Sequence, residues 1–463
     1  MVTTSRTAEL GLTALDDEIT VDQLPLDGEI PSWLSGNLLR TGPATWQAGR
    51  TDLRHWFDGL AMLHSFAIAD GQVSYANKHL DSRTRRAAEE TGKLTHGQFA
   101  TDPCRSIFHR VQAVFSAAST DNANVNIAAL GQRFLALTES ALPVEFDQRT
   151  LDAAGVPYRA PGQITTAHPH HESGAMLNYA AKLGPRSSYR IYRVDERGTE
   201  VLASIPVRHP AYMHSFGMTE HWFALVEFPL VVEPARLALS GRPFIENYRW
   251  EPERGTRITL VDRETGEIGA RRTVEPFFAF HHVNAYEDGA DVVLDLCAYP
   301  DAQIIQDLYL DRIREIMRDD AQYAALPHLK RLRLGEGGVG TAWIGETTLE
   351  LPRINGRCAT RPHRHVWGVG TASGWFDQIT KLDTTDGSAL TWREPGQYPG
   401  EPVFVRRPDS TREDDGVLLS VVLDAERGRS ALLVLDAGTM RPLARARVPH
   451  HIPHGFHGQF AKS

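Results

Sequence analysis

The sequence predicts an all-β protein, most specifically a β-propeller of about seven units. A short apolar strand ending in Asp, a polar turn with Gly or Thr, and a second strand recur about every 60 residues. Asp and Gly suit the tight turns between antiparallel strands. Repeated groups of four short strands are typical of propeller blades. The recurring strands end at Asp70, Asp147, Asp195, Asp262, Asp383 and Asp436, and Asp288 partly fills the one double-length gap.

The chain of 463 residues is long enough for two or three domains, but propellers of this length form one domain. We therefore expect a single domain over residues 1–463, with residues 1–25 as an N-terminal arm. The spacing is long for a blade and implies loop insertions. The repeat alone also fits a large antiparallel protein with ordinary hairpins, and that alternative stays open.

One helical insertion interrupts the strand pattern at AQIIQDLYLDRIREIMRDDAQ, residues 302–322. Ile305, Leu308, Ile313 and Ile316 approximate one apolar face of a helix. We expect this helix to cover one end of the body.

Composition excludes several classes of function. The net charge of -9 argues against nucleic acid as the main partner, because nucleic-acid binding requires a basic face. Cys104, Cys297 and Cys358 are too far apart for a disulfide framework or a CxxC metal site, which indicates a reducing compartment. The sequence shows neither a secretory signal nor about 18 consecutive apolar residues, so we expect a cytoplasmic protein.

Histidines set among Pro, Gly and aromatic residues are the strongest functional signal. One histidine from each of four segments would form a metal centre: His168, His214, His281 and His457. No pair has the i, i+4 spacing of two ligands on one helix, but inner strands of different propeller blades converge on one axis. Four imidazoles suit Fe, Cu, Ni or Zn. Any one of these histidines also suits an ordinary capping or hydrogen-bonding role.

A metal-bound imidazole usually donates its second N–H group to a carboxylate, which fixes its tautomer. Glutamates at strand-like positions should therefore accompany the histidines. Glu139, Glu350 and Glu401 fit this requirement, although each also suits an ordinary turn or strand edge.

The sequence resembles the carotenoid cleavage oxygenases, whose members cleave carotenoids, apocarotenoids or stilbenes and include retinoid isomerase relatives. The similarity runs from GEIPSWLSGNLLRTGP and HWFDGLAML near the start to GEPVFVRRP, EDDGVLL and GFHGQF near the end. It departs from the family pattern at Thr41 and at Leu60–Ala61, outside the histidine motifs.

The resemblance implies a seven-bladed propeller with a dome of loops and helix over a central non-haem Fe2+. It implies that His168, His214, His281 and His457 are the metal ligands and catalytic residues. It also implies that Glu139, Glu350 and Glu401 support His214, His281 and His457 in that order, with no such partner for His168. The family alternation favours His281 over His282, His457 over His454, and His168 over His170.

The implied reaction is cleavage of a conjugated C=C bond by O2 to give two aldehydes. We expect that the enzyme cleaves a carotenoid or apocarotenoid near its central double bond, which gives retinal-type products. Stilbene-cleaving relatives carry Lys where this chain has Thr138. Three alternatives stay open: stilbene cleavage, retinoid isomerisation, and apocarotenoid binding without turnover.

A lipophilic polyene also requires an apolar tunnel and a route from the membrane. Residues 228–245 predict a peripheral contact with one leaflet on the inner face of a membrane, although a buried inter-blade segment is an equal alternative. The apolar side chains that would make the contact are Leu230, Val231, Val232, Leu237, Leu239 and Phe244. The candidate tunnel residues are Phe108, Phe216, Phe278, Trp375 and Phe456, each of which also suits simple core packing.

Overall fold

Seven antiparallel sheets form the blades of the described part of the protein, as the repeat predicts. The computed structural model describes residues 8–103, 120–318, 323, 325–372 and 374–462. Within these residues the chain forms a seven-bladed β-propeller, which confirms the predicted fold class. Cys297 is buried and unpaired and Cys358 is unpaired, while Cys104 lies outside the described residues.

The blades follow the order of the chain. Blade 1 contains Thr20–Val21, Gly36–Thr45, Leu60–Ala69, Gln72–His79 and Gly458–Lys462; blade 2 contains Asn126–Leu130, Arg133–Leu137, Val144–Phe146 and Ala153–Gly155. Blade 3 contains Ile164–Thr165, His170–Glu172, Ala175–Lys182, Ser188–Asp195 and Gly198–Pro206; blade 4 contains Gly217–Met218, Trp222–Glu227, Thr256–Asp262 and Ile268–Val274.

Blade 5 contains Phe278–Asp288, Asp291–Tyr299, His328–Gly335 and Gly338–Thr348; blade 6 contains Glu350–Arg353, His365–Gly370, Gln378–Asp383 and Ala389–Trp392. Blade 7 contains Leu26–Gly28, Gln397–Pro399, Val403–Arg406, Gly416–Asp424, Arg429–Asp436 and Pro442–Arg447. Two small ribbons, Gln47–Ala48 with Thr51–Asp52 and Leu230–Val231 with Arg249–Trp250, lie outside the blades.

Both ends of the chain help to close the ring. Gly458–Lys462 pairs with Gly36–Thr45 and completes the first blade, while Leu26–Gly28 pairs with Pro442–Arg447 and completes the last. Within residues 8–25, Leu12 and Leu15 are buried, so the described part of the arm packs against the body.

The Asp-containing turns have the structure that their composition predicts. Asp262 Oδ1 accepts hydrogen bonds from the backbone N–H groups of Glu264 and Thr265, which caps the turn between the third and fourth strands of blade 4. Asp288 is different, because it joins the first two strands of blade 5. Asp288 nevertheless lies in the unit between Asp262 and Asp383, as expected, although the turn of that blade that corresponds to the others is Gly335–Gly338, which has no Asp.

The helical insertion forms two short helices rather than one. Within the described residues we name the α-helices α1 (Arg83–Thr91), α2 (Pro234–Leu239), α3 (Gln303–Asp307) and α4 (Leu310–Met317). The chain breaks at Tyr309, where the N–H of Leu310 donates to the carbonyl of Arg54 instead of continuing the helix. All four predicted apolar residues are nevertheless buried, and Leu308 lines a cavity beside the central histidines. The final residues of the predicted helix, 319–322, lie outside the described residues.

The 3₁₀ turns are Glu9–Leu12, Trp56–Asp58, Ile245–Asn247, Pro252–Arg254 and Gly356–Cys358. Trp56–Asp58 matters most, because it holds Phe57 over the central histidines. The fully buried Asp58 carboxylate accepts from the N–H groups of His55 and Ala100 and from the Thr101 hydroxyl. This network makes the position of Phe57 rigid.

Candidate metal centre

Four histidines from different segments meet on the propeller axis. His168, His214, His281 and His457 each offer one ring nitrogen, and these atoms all lie within 4.8 Å of one another. His281 belongs to the first strand of blade 5, and His457 directly precedes the strand Gly458–Lys462. Antiparallel blades bring such positions to one end of the axis although 176 residues separate the last two in sequence.

Three of the four histidines donate from Nδ1 to a glutamate. The Nδ1–O distances are 2.7 Å from His214 to Glu139, 2.5 Å from His281 to Glu350 and 2.6 Å from His457 to Glu401. These are the three pairs that the family resemblance implies. In the part of the chain that the structure describes, His168 has no such carboxylate, and its backbone N–H donates to the Thr166 hydroxyl.

Each carboxylate has its own anchor. The Tyr212 hydroxyl donates to Glu139, the Tyr299 hydroxyl donates to Glu350, and Arg353 forms two hydrogen bonds with Glu401. Sequence reasoning missed these three anchors. The two tyrosines lie close in sequence to predicted histidine motifs, but nothing in the sequence pairs Arg353 with Glu401.

Neighbouring histidines point elsewhere. His282 Nδ1 contacts the Ser215 hydroxyl at 2.8 Å, His170 Nε2 donates to the carbonyl of Phe216, and His454 Nε2 donates to the carbonyl of Ala8. The structure therefore brings His168, His281 and His457 together, which are the histidines that the family alternation favours over His170, His282 and His454.

The electrostatics favour neutral imidazoles at His168 and His457 and a charged carboxylate at Glu350. Burial, followed by the charges of the other histidines, holds the pKa of His168 well below its usual range. Burial also lowers the pKa of His457 to about 4, although Glu401 acts to raise it. Burial alone would raise the pKa of Glu350, but His281 and the hydrogen bonds from Leu351 and Tyr299 lower it overall.

The donor set fits a metal ion. Because His281 and His457 both donate from Nδ1, their Nε2 atoms carry lone pairs, yet these two atoms lie only 3.1 Å apart. His168 Nε2 and His214 Nε2 lie 3.0 Å apart. Converging lone pairs repel one another unless a cation lies between them, and neutral imidazole is a ligand for Fe, Cu, Ni and Zn.

Two cavities meet at this centre. The apolar one, with about 640 Å³ of empty space including the part open to solvent, is lined by Phe57, Phe280, Phe456 and three of the four histidines. The second, with about 720 Å³ measured in the same way, shares Phe57, Val125 and His214 with the first. Phe57 therefore stands at the junction, where its ring stacks on His214.

Of the predicted tunnel residues, only Phe456 lines the apolar cavity. Phe278 packs against Phe228 and Phe280, Phe216 packs within the blade 3 and blade 4 core, and Trp375 packs on Trp56; Phe108 lies outside the described residues. A change of pairing register between Ala279 and His282 explains why Phe280, next to His281, lines the cavity instead of Phe278.

Segment 228–245 divides between the two expected arrangements. Leu230, Val231 and Val232 are buried because the ribbon Leu230–Val231 packs into the core, whereas Leu237 and Phe244 are partly buried and Leu239 is 61% exposed. No helix in the described part of the chain is both long and apolar enough to span a bilayer.

Comparison with known proteins places the chain in a family. Residues 12–462 match the family described as retinal pigment epithelial membrane protein. Carotenoid-cleaving dioxygenase, mitochondrial, from Macaca fascicularis is 34% identical and aligns over 94% of this chain and 90% of its own length. The chain belongs to the carotenoid cleavage oxygenase family.

Two further family members have informative names. Carotenoid isomerooxygenase from Galleria mellonella is 34% identical over 97% of this chain and 95% of its own length. Beta,beta-carotene 15,15'-dioxygenase from Mus musculus is 32% identical over 95% of this chain and 88% of its own length.

Solved structures of the family share the fold. A variant of Synechocystis apocarotenoid oxygenase superposes with a TM-score of 0.86 at 26% identity and covers 99% of both chains. A cobalt-substituted form of that oxygenase superposes with a TM-score of 0.84 at 26% identity, again over 99% of both chains. The central histidine cluster of this chain is thus compatible with a metal site in a dioxygenase family.

Proposed function

We propose that this protein is a non-haem Fe(II) dioxygenase that cleaves a conjugated C=C bond of a carotenoid or apocarotenoid into two aldehydes. The observation that carries the proposal is the set of four converging imidazole nitrogens beside an apolar cavity. Ferrous iron held by His168, His214, His281 and His457 would supply the binding and activation of O2. Membership of a family of carotenoid-cleaving dioxygenases supports this choice.

The chain's own groups prepare the site. Glu139, Glu350 and Glu401 each hold one imidazole in the tautomer whose Nε2 lone pair faces the centre. Tyr212, Tyr299 and Arg353 hold the carboxylates, so the ligand rings cannot rotate freely.

The cavities favour an extended, lipophilic substrate. The walls of the apolar cavity exclude water, and Phe57 positions one bond of a chain that passes from one cavity to the other. Cavities on both sides of the centre suit a polyene with substantial chain on either side of the cleaved bond. The relatives named for 15,15' cleavage support a cut near the centre that yields retinal-type aldehydes.

Substrate delivery is a separate proposal. The exposed Leu239 of α2, together with the partly buried Leu237 and Phe244, forms the remaining candidate for a peripheral membrane contact of a cytoplasmic protein. Phe244 also lines the second cavity. Sedimentation with phosphatidylcholine vesicles should fall for Leu239→Asp and not for Leu390→Asp, a control on the outer strand of blade 6 with 50% exposure.

The central experiment uses anaerobically prepared, Fe(II)-loaded protein with β-carotene, an apocarotenal and resveratrol in separate detergent assays under ¹⁸O₂. Labelled retinal or a shorter aldehyde in the mass spectrum supports the proposal and identifies the bond. Labelled hydroxybenzaldehydes alone would indicate stilbene cleavage. Unlabelled isomerised products would indicate isomerisation. Pigment that remains bound without turnover would indicate a binding protein.

A histidine pair within one segment provides the matched variants. His168→Gln should lose bound iron and aldehyde formation, whereas His171→Gln, an exposed position three residues later, should keep both. Equal losses in the two variants would contradict the assignment of His168.

A further inference from the structure

A third cavity, with about 520 Å³ of empty space including the part open to solvent, lies between the first and seventh blades. Trp56, Leu351 and Phe376 line both this cavity and the apolar one, so these side chains form a wall between them. Its lining includes a guanidinium group, which the apolar cavity lacks, and the polar side chains of His64, Tyr398 and His454; the guanidinium belongs to Arg40.

Arg40 is the unusual member of this lining. The residue is 5% exposed, and its Nη2 donates to the carbonyl of Phe456 at 3.0 Å. Its Nη1 is buried and has no hydrogen-bond partner among the described residues. The carboxylate whose charge acts most strongly on Arg40 is Glu401, and that group is already bound by both Arg353 and His457.

Glycines keep the space beside the guanidinium open. A Cβ atom at Gly400 would lie 3.2 Å from Nη2 and 3.5 Å from Nη1 of Arg40, and one at Gly455 would lie 3.8 Å from Nη2. Neither glycine has a positive φ, so its backbone does not require glycine. What the missing side chains provide is room for a ligand to approach.

The charged groups of the central cluster and of Arg40 do not balance. With a divalent cation bound, the cation and the guanidinium groups of Arg40 and Arg353 carry one more charge than the carboxylates of Glu139, Glu350 and Glu401. A buried guanidinium nitrogen without a partner is costly, and the cost falls when an anion accepts its hydrogen bond. We propose that the third cavity binds a small monovalent anion, a halide or formate, at Nη1 of Arg40. The excess positive charge in this inference rests on the proposed function, because the count includes a divalent cation at the metal centre.

The first test is crystallographic. Crystals of the metal-loaded full chain grown in sodium bromide should show a bromide anomalous peak at hydrogen-bonding distance from Arg40 Nη1. Water alone at that position would overturn the proposal. The metal content is measured on the same preparation, so protein that binds no metal refutes the proposed function, whereas metal-loaded protein without bromide refutes only the anion site.

The second test is in solution. Bromide should raise the Tm of the metal-loaded protein saturably, by roughly 2 °C at tenfold excess over its Kd, relative to gluconate at equal ionic strength. Gly400→Ala should abolish the difference between the salts, while Gly356→Ala, a glycine with open space around it, should keep it. An unchanged bromide effect in Gly400→Ala, or a crystal peak without a saturable shift, which would mean binding at crystal concentration only, contradicts the proposal.

Discussion

Replacing Glu350 by Gln should weaken metal binding while leaving the fold intact. Glu350 Oε2 accepts from His281 Nδ1 at 2.5 Å and from the N–H of Leu351 at 2.7 Å, and Oε1 accepts from the Tyr299 hydroxyl at 3.1 Å. The Gln oxygen can take the place of Oε2, and the Tyr299 hydroxyl can rotate to accept from the new amide. The substitution therefore removes the negative charge and leaves the contacts.

The expected loss follows from the role of that charge. Removing a carboxylate that supports a metal-bound histidine typically lowers metal affinity about 10–100-fold, or about 1.4–2.7 kcal/mol. We expect this loss for Glu350→Gln in anaerobic competition of Co2+ between the protein and a chromophoric chelator. At saturating metal the variant should retain measurable cleavage, since all four histidines remain.

The chain offers a matched control for this experiment. Glu287 accepts from His221 Nδ1 at 2.8 Å, the same chemical pair on the protein surface and away from the central cluster. Glu287→Gln should not change Co2+ affinity. Unchanged affinity in Glu350→Gln, or an equal loss in Glu287→Gln, would refute the reasoning that the buried carboxylate strengthens the metal site through His281.

Three further predictions concern other parts of the structure. Arg353→Met leaves the buried Glu401 charge without its guanidinium partner, so the free energy of unfolding in denaturant should fall by about 3–5 kcal/mol. Arg353→Lys should lose less, and an unchanged unfolding midpoint for Arg353→Met would contradict this reasoning. Phe57→Ala widens the junction of the two cavities and should give aldehydes from more than one double bond, whereas one product at a reduced rate would show that Phe57 does not select the bond. Stability should fall as the pH drops from 6.5 towards 4, because burial lowers the pKa of His55 to about 3 and that of His454 to about 4, so the unfolded chain binds protons that the folded chain does not. Urea unfolding between pH 7 and 4.5 measures this, with a shallower decline expected for His454→Gln; equal slopes in the two proteins would exclude His454 as a contributor.

Local chemistry in the sequence was sufficient for much of this protein. Asp at the end of a strand caps its own turn, as Asp262 does, so the hairpins and their spacing are visible without the structure. The same holds for the motif histidines, whose flanking Pro, Gly and aromatic residues mark the ends of inner strands. The need of each imidazole for a carboxylate indicated Glu139, Glu350 and Glu401, and the family resemblance added which histidine each of them supports.

Tertiary structure decided the features that depend on contacts between distant segments. The break at Tyr309 arises because Arg54, far away in sequence, accepts from the N–H of Leu310. A register change beside His281 selects Phe280 over Phe278 as cavity wall, and packing of one ribbon buries Leu230, Val231 and Val232 of segment 228–245. Arg353 and Arg40 show no signal in the sequence, because the environment of a guanidinium depends on which carboxylates and cavities other blades bring to it.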